Sequence, residues 1–329
     1  RHCRSLYNDR RPTTGLEYAM ENTHTIEKQS TFFNGVKKTV GKYFWGYFFI
    51  LPSLLIIILF KLVPLIVGFG ISFSNWNLLS SPEFIGVQNY TRLLTDTTAI
   101  KVFGNTFYYS ALSVPLNLIF SLGLALALNQ KIKGLAFFRT AYYIPVVAAS
   151  VAVSAIWVWL LSDFGMINTF LTSIGLKSIN FLHDTKYALT SITLVDVWKN
   201  LGFNIVIFLA ALQDVPDELR DAARVDGANG VSIFKNITLP LISPAIFFTA
   251  VMGVIGSLQA FDLVYNMSMK HEGGPARATS TVGFYVWQNA FKYSKMGYAA
   301  ALSFALMAIL LVLTIVQWQM RNKWVYGEE

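Results

Sequence analysis

The sequence predicts an all-α integral membrane protein with six transmembrane helices, and three observations carry that expectation. Of the 329 residues, 54% are hydrophobic and 13% charged, whereas about 25% of a soluble domain is charged. Apolar runs recur at the length of about 20 residues that a helix needs to cross the hydrocarbon layer. The charged residues gather in the intervals between those runs.

Taken in order, residues 1–42 are polar and hold eight Lys or Arg, with no apolar core of a signal peptide. They read as a tail. The first span covers 43–73. It is charge-free from Tyr43 to Phe60 and continues past Lys61, with Pro52 and Pro64 expected to bend it. Residues 74–105 form a loop whose Trp76, Pro82, Phe84, Gly86 and Tyr90 suit a folded cap. No charge interrupts the interval between Lys101 and Lys131, which places the second span at Thr106–Leu128. The third is expected at Ala141–Leu161, with Trp157 and Trp159 as interface anchors. The fourth runs over Tyr187–Leu212, the fifth over Leu241–Met267 and the sixth over Met296–Met320. Residues 321–329 form a second tail.

An even number of spans puts both termini on one side. Sixteen Lys and Arg fall on the side of the tails and eight on the other, so the tails are expected in the cytoplasm. The same rule accounts for the net charge of +8 without nucleic acid. The lone cysteine, Cys3, excludes an internal disulfide and a cysteine-based metal site. Four scattered histidines and the lack of a phosphate loop or dinucleotide fingerprint leave no metal, nucleotide or catalytic constellation. If the protein uses nucleotide energy, another chain must bind the nucleotide.

Polar groups inside the spans mark a route or a self-neutralising pair. Asp196 and Lys199 lie three apart on one face of the fourth span. Either they pair with each other or they line a path. Gly202 and Asn204 follow, and the glycine could let the backbone loosen. In the fifth span Ser257, Gln259 and Asp262 interrupt an apolar run behind Gly253 and Gly256. Hydroxyl-rich ligands need this mix of hydrogen-bonding groups with rings such as Trp198 or Phe261. In the last outer loop, Gly273-Gly-Pro275 with Tyr285, Trp287 and Phe291 reads as a turn and an interfacial helix, or as a docking surface for an external partner.

The polar interval 214–240 also reads as structured. Pro216 suits a helix start, Asp217 and Glu218 the first turn, and Arg220 and Arg224 later positions. Gly227 suits a helix end, and Leu219, Ala222 and Ala223 form a small apolar face made for a partner to grip.

That interval resembles the EAA loop of binding-protein-dependent ABC importer permeases, through Asp221-Ala-Ala223, Asp226-Gly227-Ala228, Phe234, Ile237 and Leu239-Pro240. More narrowly, the chain resembles sugar permeases of the maltose and glycerol-3-phosphate type. The match extends over Gly86-Val-Gln-Asn-Tyr90, Asn105-Thr106, Phe138-Arg139, Ile144-Pro145, Trp157, Val197-Trp-Lys-Asn-Leu-Gly-Phe203, Leu209-Ala-Ala-Leu-Gln213, Gly273-Gly-Pro275 and Gly297-Tyr-Ala-Ala300. It departs at Asp221, where the family usually has Glu.

The resemblance implies a type I ABC importer transmembrane domain in the bacterial inner membrane. Residues 106–320 would form its core, and 74–105 would be extracytoplasmic. It implies a second permease subunit, two cytoplasmic ATPase subunits that bind ATP and Mg, a solute-binding protein outside, and a carbohydrate substrate. It implies no cofactor or catalytic residue in this chain. Coupling to the ATPase would fall to Glu218, Asp221, Ala222, Ala223, Asp226, Gly227, Ala228, Phe234, Leu239 and Pro240. The substrate path would include Trp198, Leu201, Gly202, Asn204, Ile205, Gly253, Ser257, Gln259 and Ala260. Lys199 and the basic residues of 270–295 would tolerate an anionic sugar. The alternative is a secondary carrier that uses Asp196 and Lys199 as an ion relay.

Overall fold

In a computed structural model, residues 46–130, 134–268 and 272–325 are described. The expected tail 1–42 lies outside them. The chain divides into two units, residues 1–67 and 68–329. Helix α1, Gly46–Ser72, runs across the boundary. Within it, Pro64 cannot donate to the preceding turn. The backbone widens over Ile58–Leu62, and the Val63 amide reaches back to the Ile58 carbonyl.

The second unit is built on α3, Thr97–Leu128, and α7, Ala188–Gln213. Both are unbroken, as is α13, Met296–Trp324. Helix α3 starts nine residues before the expected span and reaches 32 residues, or about 48 Å at 1.5 Å per residue. That exceeds a hydrocarbon layer of about 30 Å, an excess that tilt or projection of an end accommodates. Asp96 starts the helix, accepting from the amides of Thr98 (2.8 Å) and Ala99 (3.3 Å).

One face of α3 explains how the helices close. Thr106, Ser110, Ser113, Asn117 and Ser121 recur at helical spacing and are all buried. Small polar residues let membrane helices approach closely. Ser257 donates to Ser110 at 2.7 Å, and the Val282 amide donates to Thr106 at 2.9 Å. Apolar clusters complete the unit. One gathers Tyr109, Val153, Ile192, Val264 and Phe284. Another gathers Ala125, Ile205, Phe208, Leu212, Val215 and Ile242.

Two expected spans are not straight. The third is α4, Leu135–Val147, and α5, Ser150–Leu160, bent by 100°. Ala148 and Ala149 are extended, with ψ of 139° and 130°. The fifth is α10, Ser243–Leu258, then a non-helical step at 259–261, then α11, Asp262–Met267. Before α10, the segment Gly230–Leu241 (α9) meets it at 65°. Irregular backbone at membrane depth is tolerated where protein covers it or a cavity adjoins it. Here Thr281 donates to the Ala260 carbonyl at 2.7 Å.

The loop 74–105 is folded as expected. Two short antiparallel strands, Ser74–Asn75 (β1) and Glu83–Phe84 (β2), are followed by α2, Gln88–Thr95. Buried Asn89 donates to the carbonyls of Ser72 (2.9 Å) and Ser74 (3.0 Å). After α5 comes a short helix, α6, Met166–Ser173. The Gly273-Gly-Pro275 turn carries positive φ at both glycines. It is tied to α3, where Lys101 donates to the Ala276 carbonyl (2.7 Å) and Asn105 to those of Arg277 and Ser280. The helix beyond it, α12, Val282–Trp287, turns inward. Phe284 and Tyr285 are buried and Trp287 stacks on Phe284, which leaves only Phe291 of the expected aromatic surface exposed.

Candidate functional site: a polar chamber and an exposed helix beside it

A chamber of about 420 Å³ opens between α3, α7 and α10. From α3 it takes Tyr109, Ser113 and Asn117. From α7 it takes Asp196, Lys199, Asn200, Phe203 and Asn204. From α10, the step after it and the start of α11 come Gly253, Ser257, Gln259, Ala260, Phe261 and Asp262. The walls therefore combine hydroxyls, amides and both charge signs with two phenyl rings.

Its polar groups are ordered by one another. Asn204 donates to Asn117 Oδ1 at 2.6 Å, and Asn117 donates to the Val197 carbonyl at 3.4 Å. Asp196 accepts from Asn200 Nδ2 at 2.8 Å, and Tyr109 lines the same wall. Asp196 and Lys199 do not form an ion pair among the described residues; both line the chamber. The Ser113 hydroxyl is buried there with no partner among the described residues, a state that leaves a hydrogen-bonding group unsatisfied.

Of the expected path residues, Asn204, Gly253, Ser257, Gln259 and Ala260 meet at this chamber. Leu201, Gly202, Ile205 and Trp198 do not line it. Ile205 is fully buried in an apolar cluster that Leu201 packs against. Trp198 packs edge-on against Trp157, with ring centroids 5.3 Å apart. Nor does Gly202 loosen the backbone, because α7 continues through it. Its missing side chain admits α4: a Cβ there would stand 2.2 Å from the Tyr142 carbonyl oxygen. Tyr109, Ser113 and Asn117 join the chamber without having been expected there. Their sequence signal is polar residues at steps of four along an apolar run.

The 214–240 interval forms two helices. Helix α8, Asp217–Val225, has no buried residue. Leu219 is 46% and Val225 88% exposed, so its apolar groups stand uncovered. Glu218, Asp221, Ala222, Asp226 and Gly227 are exposed, and Ala223 and Ala228 half-buried. Asp221 pairs with Arg224 at 2.9 Å on the helix surface. Gly227 ends α8 with φ of +83°. Its amide bonds the Arg224 carbonyl, and that of Ala228 bonds Ala223, a closing pattern that needs a left-handed residue. Phe234, Leu239 and Pro240 lie half-buried in α9.

Residues 119–322 match the family described as binding-protein-dependent transport system inner membrane component. The chain is 36% identical to YesP of Bacillus subtilis, a protein assigned as an ABC transporter permease, over 86% of this chain and 92% of that one. It is 30% identical to MsmF, the multiple sugar-binding transport system permease of Streptococcus mutans, over 88% and 98%. It is 33% identical to UgpA, the sn-glycerol-3-phosphate transport system permease of Yersinia pestis, over 83% and 92%. Its fold is similar to a chain in the crystal structure of a bacterial alginate ABC transporter in complex with a pentasaccharide-bound periplasmic protein. The TM-score is 0.78 at 22% identity, over 89% of this chain and 99% of that one. By family match and by these relatives, the chain belongs to the binding-protein-dependent transport system inner membrane components, as a permease of the sugar ABC importer type.

Proposed function

We propose that this chain is one of two permease subunits of an ATP-driven importer for a carbohydrate, and that the chamber between α3, α7 and α10 is its half of the path. The observation that carries this is the chamber's lining. Amides of Asn117, Asn200, Asn204 and Gln259, the hydroxyls of Ser113 and Ser257, and the rings of Phe203 and Phe261 share one wall system. Sugars present hydroxyl edges and apolar faces, and such a wall matches both. Lys199, which lines the chamber without a direct ion pair to Asp196, extends the fit to a sugar that carries an acid group.

In this reading the chain hydrolyses nothing. Two cytoplasmic ATPase subunits bind ATP and Mg, and a solute-binding protein delivers the sugar outside. Both tails and the 214–240 segment face the cytoplasm of a bacterial inner membrane. Residues 74–105 form the outer cap, and 106–320 the core. The exposed α8 docks in the ATPase. Asp221, one methylene shorter than the usual Glu and already paired with Arg224, contributes less to that docking than the helix body. ATP-driven closure of the ATPases moves α8, and α7 and α10 reshape the chamber. The relay reading is less supported, since Asp196 is engaged by Asn200.

The test is affinity purification of the tagged chain with its neighbours, followed by reconstitution and uptake of radiolabelled oligosaccharides. Co-purifying ATPase subunits and ATP-dependent uptake are expected. Uptake by this chain alone, without ATPase subunits, would overturn the reading in favour of a secondary carrier.

A further inference from the structure

The turn between α7 and α8 contains a bond that the family resemblance does not assign. The last carbonyls of a helix have no intrahelical donor and need one from elsewhere. The Leu212 carbonyl, one residue before the end of α7, would ordinarily receive the amide of residue 216. That residue is Pro216, which has no N–H. The guanidinium of Arg220, from the next helix, takes its place. Arg220 Nη2 donates to the Leu212 carbonyl at 2.8 Å, while Nη1 holds Asp217 at 3.3 Å.

The neighbouring pair shows that this is not a general property of α8. Arg224 and Asp221 share the same spacing, but their side chains are 67% and 66% exposed and their bond stays within the helix. The Arg220 side chain is only 21% exposed and crosses to another helix. It arrives where α7 is anchored, since Leu212 and Val215 are buried in the cluster with Phe208 and Ile242. A cation is also favoured at a helix C-terminus.

We propose that Arg220 is the positioning residue that fastens the exposed helix α8 to α7, so that displacement of α8 moves α7 as one lever. The inference rests on the reading under Proposed function, in which α8 receives the ATPase stroke. Without the clamp, the turn Asp214–Pro216 absorbs that stroke as a hinge. With it, the stroke reaches Asn204, Asn200 and Lys199 on the chamber side of the same unbroken helix.

The experiment uses the whole importer, co-produced with its ATPase and second permease subunits and held in lipid nanodiscs. Cys3 is replaced by Ser and Met252, on the chamber wall, by Cys. The rate at which a hydrophilic maleimide labels Met252→Cys is measured with and without ATP and vanadate, so no sugar need be known. With Arg220 in place, trapping is expected to change the rate, because Met252 lies on the wall that the stroke reshapes. Arg220→Met is expected to abolish that change while the ATPase subunits still co-purify, and Arg220→Lys to restore part of it. Hydrogen exchange should rise in 217–225 of Arg220→Met but not in α7, which separates a loosened clamp from misfolding. An undiminished change in Arg220→Met overturns the proposal. So does loss of the ATPase subunits, which would make Arg220 an assembly contact. If the unsubstituted chain retains no ATPase, the reading under Proposed function fails first, and the clamp with it.

Discussion

Two single residues tie distant segments together, and each makes a measurable difference. Asp96 caps α3 and also accepts from the hydroxyls of Tyr298 (2.8 Å) and Tyr285 (3.0 Å). Burial pushes its carboxyl pKa up. The bonds from Tyr298, the Thr98 amide, Tyr285 and the Ala99 amide more than reverse this, so it lies below the ordinary aspartate value. A lowered folded pKa means that the stabilisation is complete above the unfolded value of about 3.9 and is lost as pH falls through the folded one. Thermal unfolding followed by tryptophan fluorescence should therefore show a drop in midpoint below about pH 4 that Asp96→Asn lacks. Equal acid sensitivity in both proteins would remove Asp96 as its source. At Gly202, an alanine would ordinarily favour a helix by about 1 kcal/mol. Here its Cβ would meet the Tyr142 carbonyl oxygen at 2.2 Å. Gly202→Ala is expected to destabilise by about 1–3 kcal/mol, and a raised midpoint would contradict the contact. From sequence, Gly202 suggested a loosened backbone because a glycine's freedom is visible there and its neighbour is not. Asn117 was hidden for the opposite reason. A lone amide in a long apolar run acquires meaning only when Asn204 is found opposite it.

At the scale of elements, α7 was legible nearly to the residue and α13 at its start, because an unbroken apolar run and an unbroken helix coincide, while the helix of α13 continues past the expected end at Met320 to Trp324. The bent pair α4 and α5 was not. Hydropathy adds along a window and is blind to direction, so two extended alanines at 148–149 disappear into it. The same blindness hid the step at 259–261, although Ser257, Gln259 and Asp262 did mark it as polar. The end of α8 was legible, since Gly227 takes the left-handed turn that the Asp226-Gly227-Ala228 sequence suggests. That turn gives a direct test. Gly227→Ala should cost about 1–2 kcal/mol for a side chain in the left-handed region. Hydrogen exchange should report it as faster opening of 217–228, with α7 unchanged. Unaltered exchange would mean that the turn does not hold the helix.

At the scale of the whole molecule, the bends divide labour among the helices. The unbroken α3 and α7 form a packed frame, with the Asn117–Asn204 bond between them. The broken elements lean on that frame, and the chamber lies where they meet. The 100° elbow also carries a consequence for how the protein is made. The 13 residues of α4 and 11 of α5 reach about 20 Å and 16 Å at 1.5 Å per residue. Neither crosses a hydrocarbon layer of about 30 Å by itself. During synthesis this stretch emerges after α3 but before α7, whose Gly202 supplies the seat for α4. It must therefore wait at the membrane for a later segment before it can adopt its final path. Truncations that stop at residue 165 should leave this stretch accessible to added protease, and extension through residue 213 should protect it. Protection of the shorter product would show that the elbow inserts unaided.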